Sequence, residues 1–185
     1  SSLDDSKSDE ETEKNTVLII GGFYVSRYEA GKEEANILVS KKGATVWNNI
    51  SQEDCKTTAK TFINNKNVKS ALCSGIQWDV IMKLVNGKKD GTNNSFDVET
   101  ASNSRHLEGS SPTISGENEA DRVYNIYDLE GNCYEYVAER SLSGNLGTYV
   151  SRGGDYDGFY PTSARSSHSG SKAIDGSFRF VLYVM

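Results

Sequence analysis

The sequence predicts an α+β domain, and three observations carry that prediction. Two amphipathic helices, each opened by a serine cap, occupy the stretch from 51 to 87. Segments with strand-type alternation lie before and after them rather than between repeated helices. The most apolar segment is the C-terminal one, GSFRFVLYVM. A βαβα alternation would have signalled a parallel sheet, whereas helices flanked by strands at both ends read as α+β. At 185 residues the chain is long enough for one domain with a proper core.

In chain order, residues 1–15 (SSLDDSKSDEETEKN) hold six acids against two lysines and show no apolar periodicity, which predicts a flexible acidic linker or tail. The folded unit is expected over 16–185. TVLIIGGFYVSRYEAGKEE reads as two short strand segments around Gly21 and Gly22, with Phe23, Val25 and Arg27 alternating against Tyr24, Ser26 and Tyr28. VSKKGATVW reads as a loop with a short strand. Ser51 then caps a helix with Asp54 three residues on, and Cys55, Ala59, Phe62 and Ile63 share its apolar face. Ser74 and Gln77 form a second capping box, followed by the stripe Trp78, Ile81, Met82, Val85 and a terminating Gly87. Residues 88–122 are a long Gly/Asn/Ser/acid-rich loop, whose DGTNNSFDVET segment has its glycine and acids misplaced for an EF-hand. VYNIYDL (123–129) alternates like a strand, EGNCYEYVAER follows, and TYVSRGG reads as a short strand ending in a glycine pair. In the last segment Phe178, Phe180, Leu182 and Val184 are expected on one face.

Composition excludes several functions. Outside the first 15 residues, 20 acids nearly balance 18 bases, and the pI is about 5.0, so no basic footprint for nucleic acid exists. No apolar run approaches a membrane span, so direct insertion is not expected. Three cysteines (Cys55, Cys73, Cys133) with no Cys-x-x-Cys cannot build a disulfide framework, and they read as buried thiols. Two histidines, His106 and His168, exclude a His-rich metal site.

An ordered series of motifs resembles the formylglycine-generating-enzyme (sulfatase-modifying factor) family. NIYDLEGNCYEYVAER is similar to the family's Gly-Asn-x-x-Glu signature, FYVSRYEA to its opening strand, and LCSGIQWDVIMKLV to its Trp-bearing helix. VSRGGDY is similar to its Arg-Gly-Gly segment, and SFRFVLYV to its closing strand. The resemblance implies a C-type-lectin-like fold with two helices, paired N- and C-terminal strands and long irregular loops. The family's oxidases use two copper-binding cysteines after Arg-Gly-Gly, and GGDYDGFYPTSARSSHSGSKA contains none. Iron-dependent relatives need clustered histidines, which are also missing. The implied protein is therefore not an enzyme, and neither copper nor iron is expected. A structural calcium is implied at Asp128, the carbonyls of Gly131 and Cys133, and Glu135, since carboxylates and carbonyls suit a hard cation. Hydrogen bonding of Glu135 to turn backbone is an equal alternative.

The same fold and closing motifs occur in variable proteins of diversity-generating retroelements, which carry a C-terminal lectin-like domain rewritten at template adenines. Every residue from Asp155 to Ser171 belongs to the amino-acid set that such rewriting reaches, and Lys172 ends the run. The stretch mixes Tyr and Phe with Ser, Gly and Asp, the composition of antibody binding loops. The resemblance thus implies a variable binding face near 152–176, made by Asp155, Tyr156, Asp157, Phe159, Tyr160, Thr162, Ser166, Ser167, His168, Ser169 and Asp175. Arg152, Gly153, Gly154 and Arg165 are expected as its scaffold. The expected partner is a protein or glycan on another surface, met by a domain displayed outside a bacterial cell or on a phage particle. A conventional lectin-fold domain with a fixed partner is the alternative, with a degenerate formylglycine-generating-type oxidase a remoter one.

Overall fold

The computed structural model describes residues 22–86, 112, 114–141, 148–156 and 161–185. The acidic stretch 1–15, the predicted strand residues 16–21, Gly87, most of the long loop and Asp157, Phe159 and Tyr160 lie outside the described residues.

The described chain runs β1 (Tyr24–Val25), β2 (Gly31–Glu33), β3 (Ile37–Val39), α1 (Gln52–Ala59), β4 (Val68–Leu72) and α2 (Gly75–Val85). It continues with β5 (Tyr134–Arg140), β6 (Tyr149–Arg152), β7 (Ser166–His168), β8 (Gly176–Phe178) and β9 (Phe180–Val184). One sheet has the order β1-β9-β4 and another β7-β6-β5-β8, while β2 and β3 form a hairpin. All pairings are antiparallel except β5 with β8. Tyr24 lies opposite Leu182 and Val25 opposite Val181, so the N- and C-terminal strands pair as the resemblance implies.

Both helices start where their caps predict. The Ser51 hydroxyl accepts the Asp54 N–H at 3.1 Å, and it donates to the Asp54 carboxylate at 2.7 Å. Ser74 and Gln77 close a full reciprocal box, at 3.2 and 2.8 Å. The stripe Trp78, Ile81, Met82 and Val85 is buried against Val137, Val150 and Val181. On α1, Cys55 and Ala59 are fully buried beside Tyr136, Phe178 and Phe180. The helix stops at Ala59, so Phe62 falls beyond it and stays 41 % exposed, its ring lying 4.4 Å from Phe180.

Three strand expectations need correction. VYNIYDL is not a strand: Val123 and Ile126 exchange backbone hydrogen bonds at 2.8 Å across a tight turn. Tyr124, Asn125 and Asp128 take positive φ of 50°, 66° and 55°, which no pleated strand accommodates. The alternation beginning at Phe23 ends at Val25, because Ser26 and Tyr28 turn inward while Arg27 is exposed. The C-terminal segment is two strands in two sheets, divided at Arg179. Because β9 is central in its sheet, Phe180 packs with the α1 cluster while Val181 and Tyr183 pack with the α2 cluster. Val184, expected to share a face with Phe178, Phe180 and Leu182, is 52 % exposed at the strand's end. Among the described residues no helix is long and apolar enough to cross a membrane.

Candidate binding face

The described residues of the candidate face, 155–156 and 161–175, are fastened by their own backbone. The Trp78 indole N–H donates to the Thr162 carbonyl at 3.0 Å, and the Tyr136 hydroxyl to the Ser171 carbonyl at 2.8 Å. Asn48 donates its side-chain amide to the Ile174 carbonyl at 2.7 Å. Backbone N–H groups of Gln52, Asn49 and Tyr134 take the carbonyls of Gly170, Ala173 and Asp175 at 3.0, 2.9 and 2.9 Å. The Tyr156 N–H donates to the Asn132 carbonyl at 3.1 Å. These anchors come from α1, α2, β5 and the turns before them. Each uses a main-chain group of the segment, which exists whatever side chain the residue carries.

Within that frame β7 runs antiparallel to β6, pairing Ser166, Ser167 and His168 with Ser151, Val150 and Tyr149. Ser167 and Ser169 are exposed, and Asp155, Tyr156, Ser166, His168 and Asp175 are half-buried. Thr162 is fully enclosed, so the residue that anchors the indole presents no side chain at the surface. His168 stacks on Tyr134 at 4.2 Å and 25° and meets Tyr136 edge-on at 6.3 Å. Burial holds its imidazole below the usual histidine value, against the opposite pull of Asp175 and Asp155. The Tyr149 ring lies against Gly170, where an added Cβ would come within 2.1 Å of it, and its hydroxyl donates to Glu53 at 2.8 Å.

Arg152 is buried and paired with Asp79, which also receives Arg165; the Arg165 Nε reaches Glu139 at 3.1 Å. Gly153 and Gly154 both take positive φ, and a Cβ on Gly153 would sit 3.1 Å from the Leu129 carbonyl and 3.5 Å from the Trp78 ring. Thus Arg152, Gly153 and Arg165 are bound into the base of the face, around α2.

Behind the face lies a buried polar centre that the sequence reading missed. Arg179 is fully buried, and its guanidinium contacts both Glu135 oxygens, with Nε at 3.1 Å from each and Nη2 at 2.6 Å from one. It also donates to the carbonyls of Ser26 at 3.0 Å and Tyr127 at 2.8 Å. Glu29, equally buried, accepts from the Asn132 amide and from the Cys133 N–H at 3.2 Å. Burial, reinforced by Asp128 and Glu135, raises the Glu29 carboxyl well above the usual range, against the opposite pull of Arg179 and the Asn132 amide. The one available signal was an arginine inside the most apolar segment, since a charge there demands a buried partner.

The oxygens expected around calcium are placed differently from one another. Glu135, read above as an ion ligand or a backbone acceptor, gives both oxygens to Arg179. Asp128 accepts from the Ser115 hydroxyl at 2.9 Å and the Gly116 N–H at 2.7 Å. The Gly131 N–H donates to the Gly153 carbonyl at 3.1 Å, and Cys133 is buried. Among the described residues no three His, Cys, Asp or Glu side chains form a metal-holding group. Cys55, Cys73 and Cys133 are all buried free thiols, and burial pushes the thiols of Cys55 and Cys133 up, away from the reactive thiolate.

No family model matches the chain, and no curated protein matches it. Solved structures do. Treponema denticola variable protein 1 superposes with a TM-score of 0.53 at 14 % identity, over 89 % of this chain and 79 % of that one. The fold is C-type-lectin-like. PvdO from Pseudomonas aeruginosa matches with a TM-score of 0.53 at 12 % identity, covering 94 % of this chain and 77 % of its own. At such identities the likeness is one of fold. The C-type-lectin-like frame here consists of the β1-β9-β4 sheet, the two helices against it, and the β7-β6-β5-β8 sheet carrying the candidate face.

Proposed function

We propose that this chain is a non-catalytic ligand-binding display domain whose 155–175 segment is a diversified recognition face. The observation that carries the reading is the manner of fastening: core side chains and backbone hold that segment through its main chain. Such a segment can change side chains without losing its place, and a pre-ordered face binds without a fresh ordering cost for each ligand. Two further points support it. The composition from Asp155 to Ser171 is that of a paratope, and the fold is shared with a protein named as a variable protein. The buried thiols and the lack of cysteine after Gly154 leave no pair for thiol-based metal oxidation. The ligand is a protein or glycan on another surface, and display is extracellular, on a bacterial cell or a phage particle.

A second reading, a lectin-fold domain with one fixed partner, is favoured by side chains in the segment that the frame does engage, Ser167 among them through the Ser141 hydroxyl at 2.9 Å. His168 stacks on Tyr134, and Arg165 pairs with Asp79 and Glu139. Sequencing the 3′ end of the gene across its source population separates the two. Variation concentrated in codons 155–171, with the codons for Thr162 and Arg165 spared, is the expected result. A uniform 3′ end would overturn diversification and favour the fixed partner.

A further inference from the structure

The imidazole of His168 closes a chain of aromatic contacts that ends on the backbone of the face. Its ring lies flat on Tyr134, whose hydroxyl is 3.2 Å from that of Tyr136, and Tyr136 in turn donates to the Ser171 carbonyl at 2.8 Å. Tyr134 is itself wedged, since a Cβ on Gly176 would approach its ring to 2.9 Å. The stack therefore has its floor on β5 and β8, while the histidine sits on the edge strand β7.

We propose that His168 is an acid-released latch, whose protonation opens the stack on Tyr134 and loosens the tie from Tyr136 to Ser171. The groups around the ring set the direction. Tyr134 and Tyr136 of β5 are neutral phenols whose ionisation burial opposes. Cys55 of α1 lies near Tyr136 and stays a neutral thiol. Across the strand pair, Tyr149 faces His168, but its hydroxyl is bound to Glu53 and its ring is covered by Arg140, which also pairs with Glu53 at 3.6 Å. Asp155 after β6 and Asp175 before β8 are the carboxylates that act on the imidazole. Burial outweighs both, so the stacked ring binds a proton less readily than a ring in water does. Acid then favours the open arrangement, where the imidazolium is hydrated and still near Asp155 and Asp175. The stack is fully present at neutral pH and is lost as pH falls below the ordinary imidazole value of about 6.5.

The latch rests on the reading of 155–175 as a binding face only for its use; its operation is a property of the free protein. The test is an NMR titration of the full chain between pH 8 and pH 4.5, with His168 distinguished from His106 by the variant His168→Phe. The expected result is a His168 midpoint below that of an exposed imidazole. Tyr134 and Tyr136 ring resonances should move with the same midpoint, and the His168–Tyr134 contact should be lost at the acid end. In His168→Phe, which keeps a flat ring without a titrating group, the tyrosine shifts should disappear. Tyrosine resonances that stay fixed while His168 titrates would overturn the latch, as would the same shifts persisting in His168→Phe. A uniform gene 3′ end would not bear on it, so failure of the latch and failure of the diversified face are told apart.

Discussion

Single residues in this domain matter most where a charge or a polar group has been taken out of water. Arg179 is the clearest case, enclosed between two sheets with Glu135 and the carbonyls of Ser26 and Tyr127 as its partners. Removing one half of a buried ion pair leaves the other half uncompensated, at a cost of about 3–5 kcal/mol. Arg179→Met should therefore lower the unfolding free energy read from urea denaturation by that much, and the double variant Arg179→Met with Glu135→Gln should recover part of the loss. A single variant within 1 kcal/mol of the parent, by about the same convention, would show the pair to be dispensable. Trp78→Phe keeps an aromatic ring but strands the Thr162 carbonyl, which should cost about 1–3 kcal/mol in the same measurement. At this scale the sequence was legible where partners are close along the chain. Ser74 with Gln77 and Cys55 with Ala59 could be paired by counting. Arg179 with Glu135, and Glu29 with Asn132, could not, because their partners lie 44 and 103 residues away.

Secondary-structure elements here start where local chemistry says and end where tertiary contacts say. Both helices were readable because a capping serine satisfies N–H groups within its own turn, so no distant information is needed. Ser74→Ala should accordingly cost about 1 kcal/mol of stability. VYNIYDL was misread because period-two alternation ignores dihedral angles, and positive φ at Tyr124, Asn125 and Asp128 bends the chain. The C-terminal segment was misread as one strand because its apolar pattern is continuous across Arg179, where the chain changes sheets. The bend after β7 obeys a similar tertiary demand. Gly170 has φ of 73° and lies against the Tyr149 ring, so any side chain there meets both strain and a clash at 2.1 Å. Gly170→Ala should destabilise the domain by about 1–3 kcal/mol, the usual cost of forcing extra atoms into a packed contact. Thermal denaturation checks it, and a change below about 0.3 kcal/mol would mean that Tyr149 moves aside freely.

Under the proposed function, the molecule as a whole divides the work between a frame that supplies anchors and a segment that supplies side chains. The frame was largely readable as a fold, because ordered motifs from Phe23 to Val184 resemble one family and the structure has that family's C-type-lectin-like architecture. The division of work was not readable, since nothing in the types Asn48, Gln52, Trp78 and Tyr136 says that they converge on the carbonyls of Thr162, Gly170, Ser171 and Ile174. That division has a direct consequence for how substitutions combine. Anchors that use main-chain atoms do not depend on the side chains they hold, so changes at the exposed Ser167 and Ser169 should each stay within about ±0.5 kcal/mol, as exposed positions usually do. A variant altered at both should still unfold within a few degrees of the parent. The contrasting variant Asn48→Ala, with Tyr136→Phe added, leaves every face side chain intact and removes two anchors. It should unfold at a lower temperature than the multiply altered face. The comparison is made by calorimetry on the three proteins side by side. A face variant less stable than the anchor variant would mean that the segment holds itself in place by its side chains, and the domain could not then tolerate a rewritten surface.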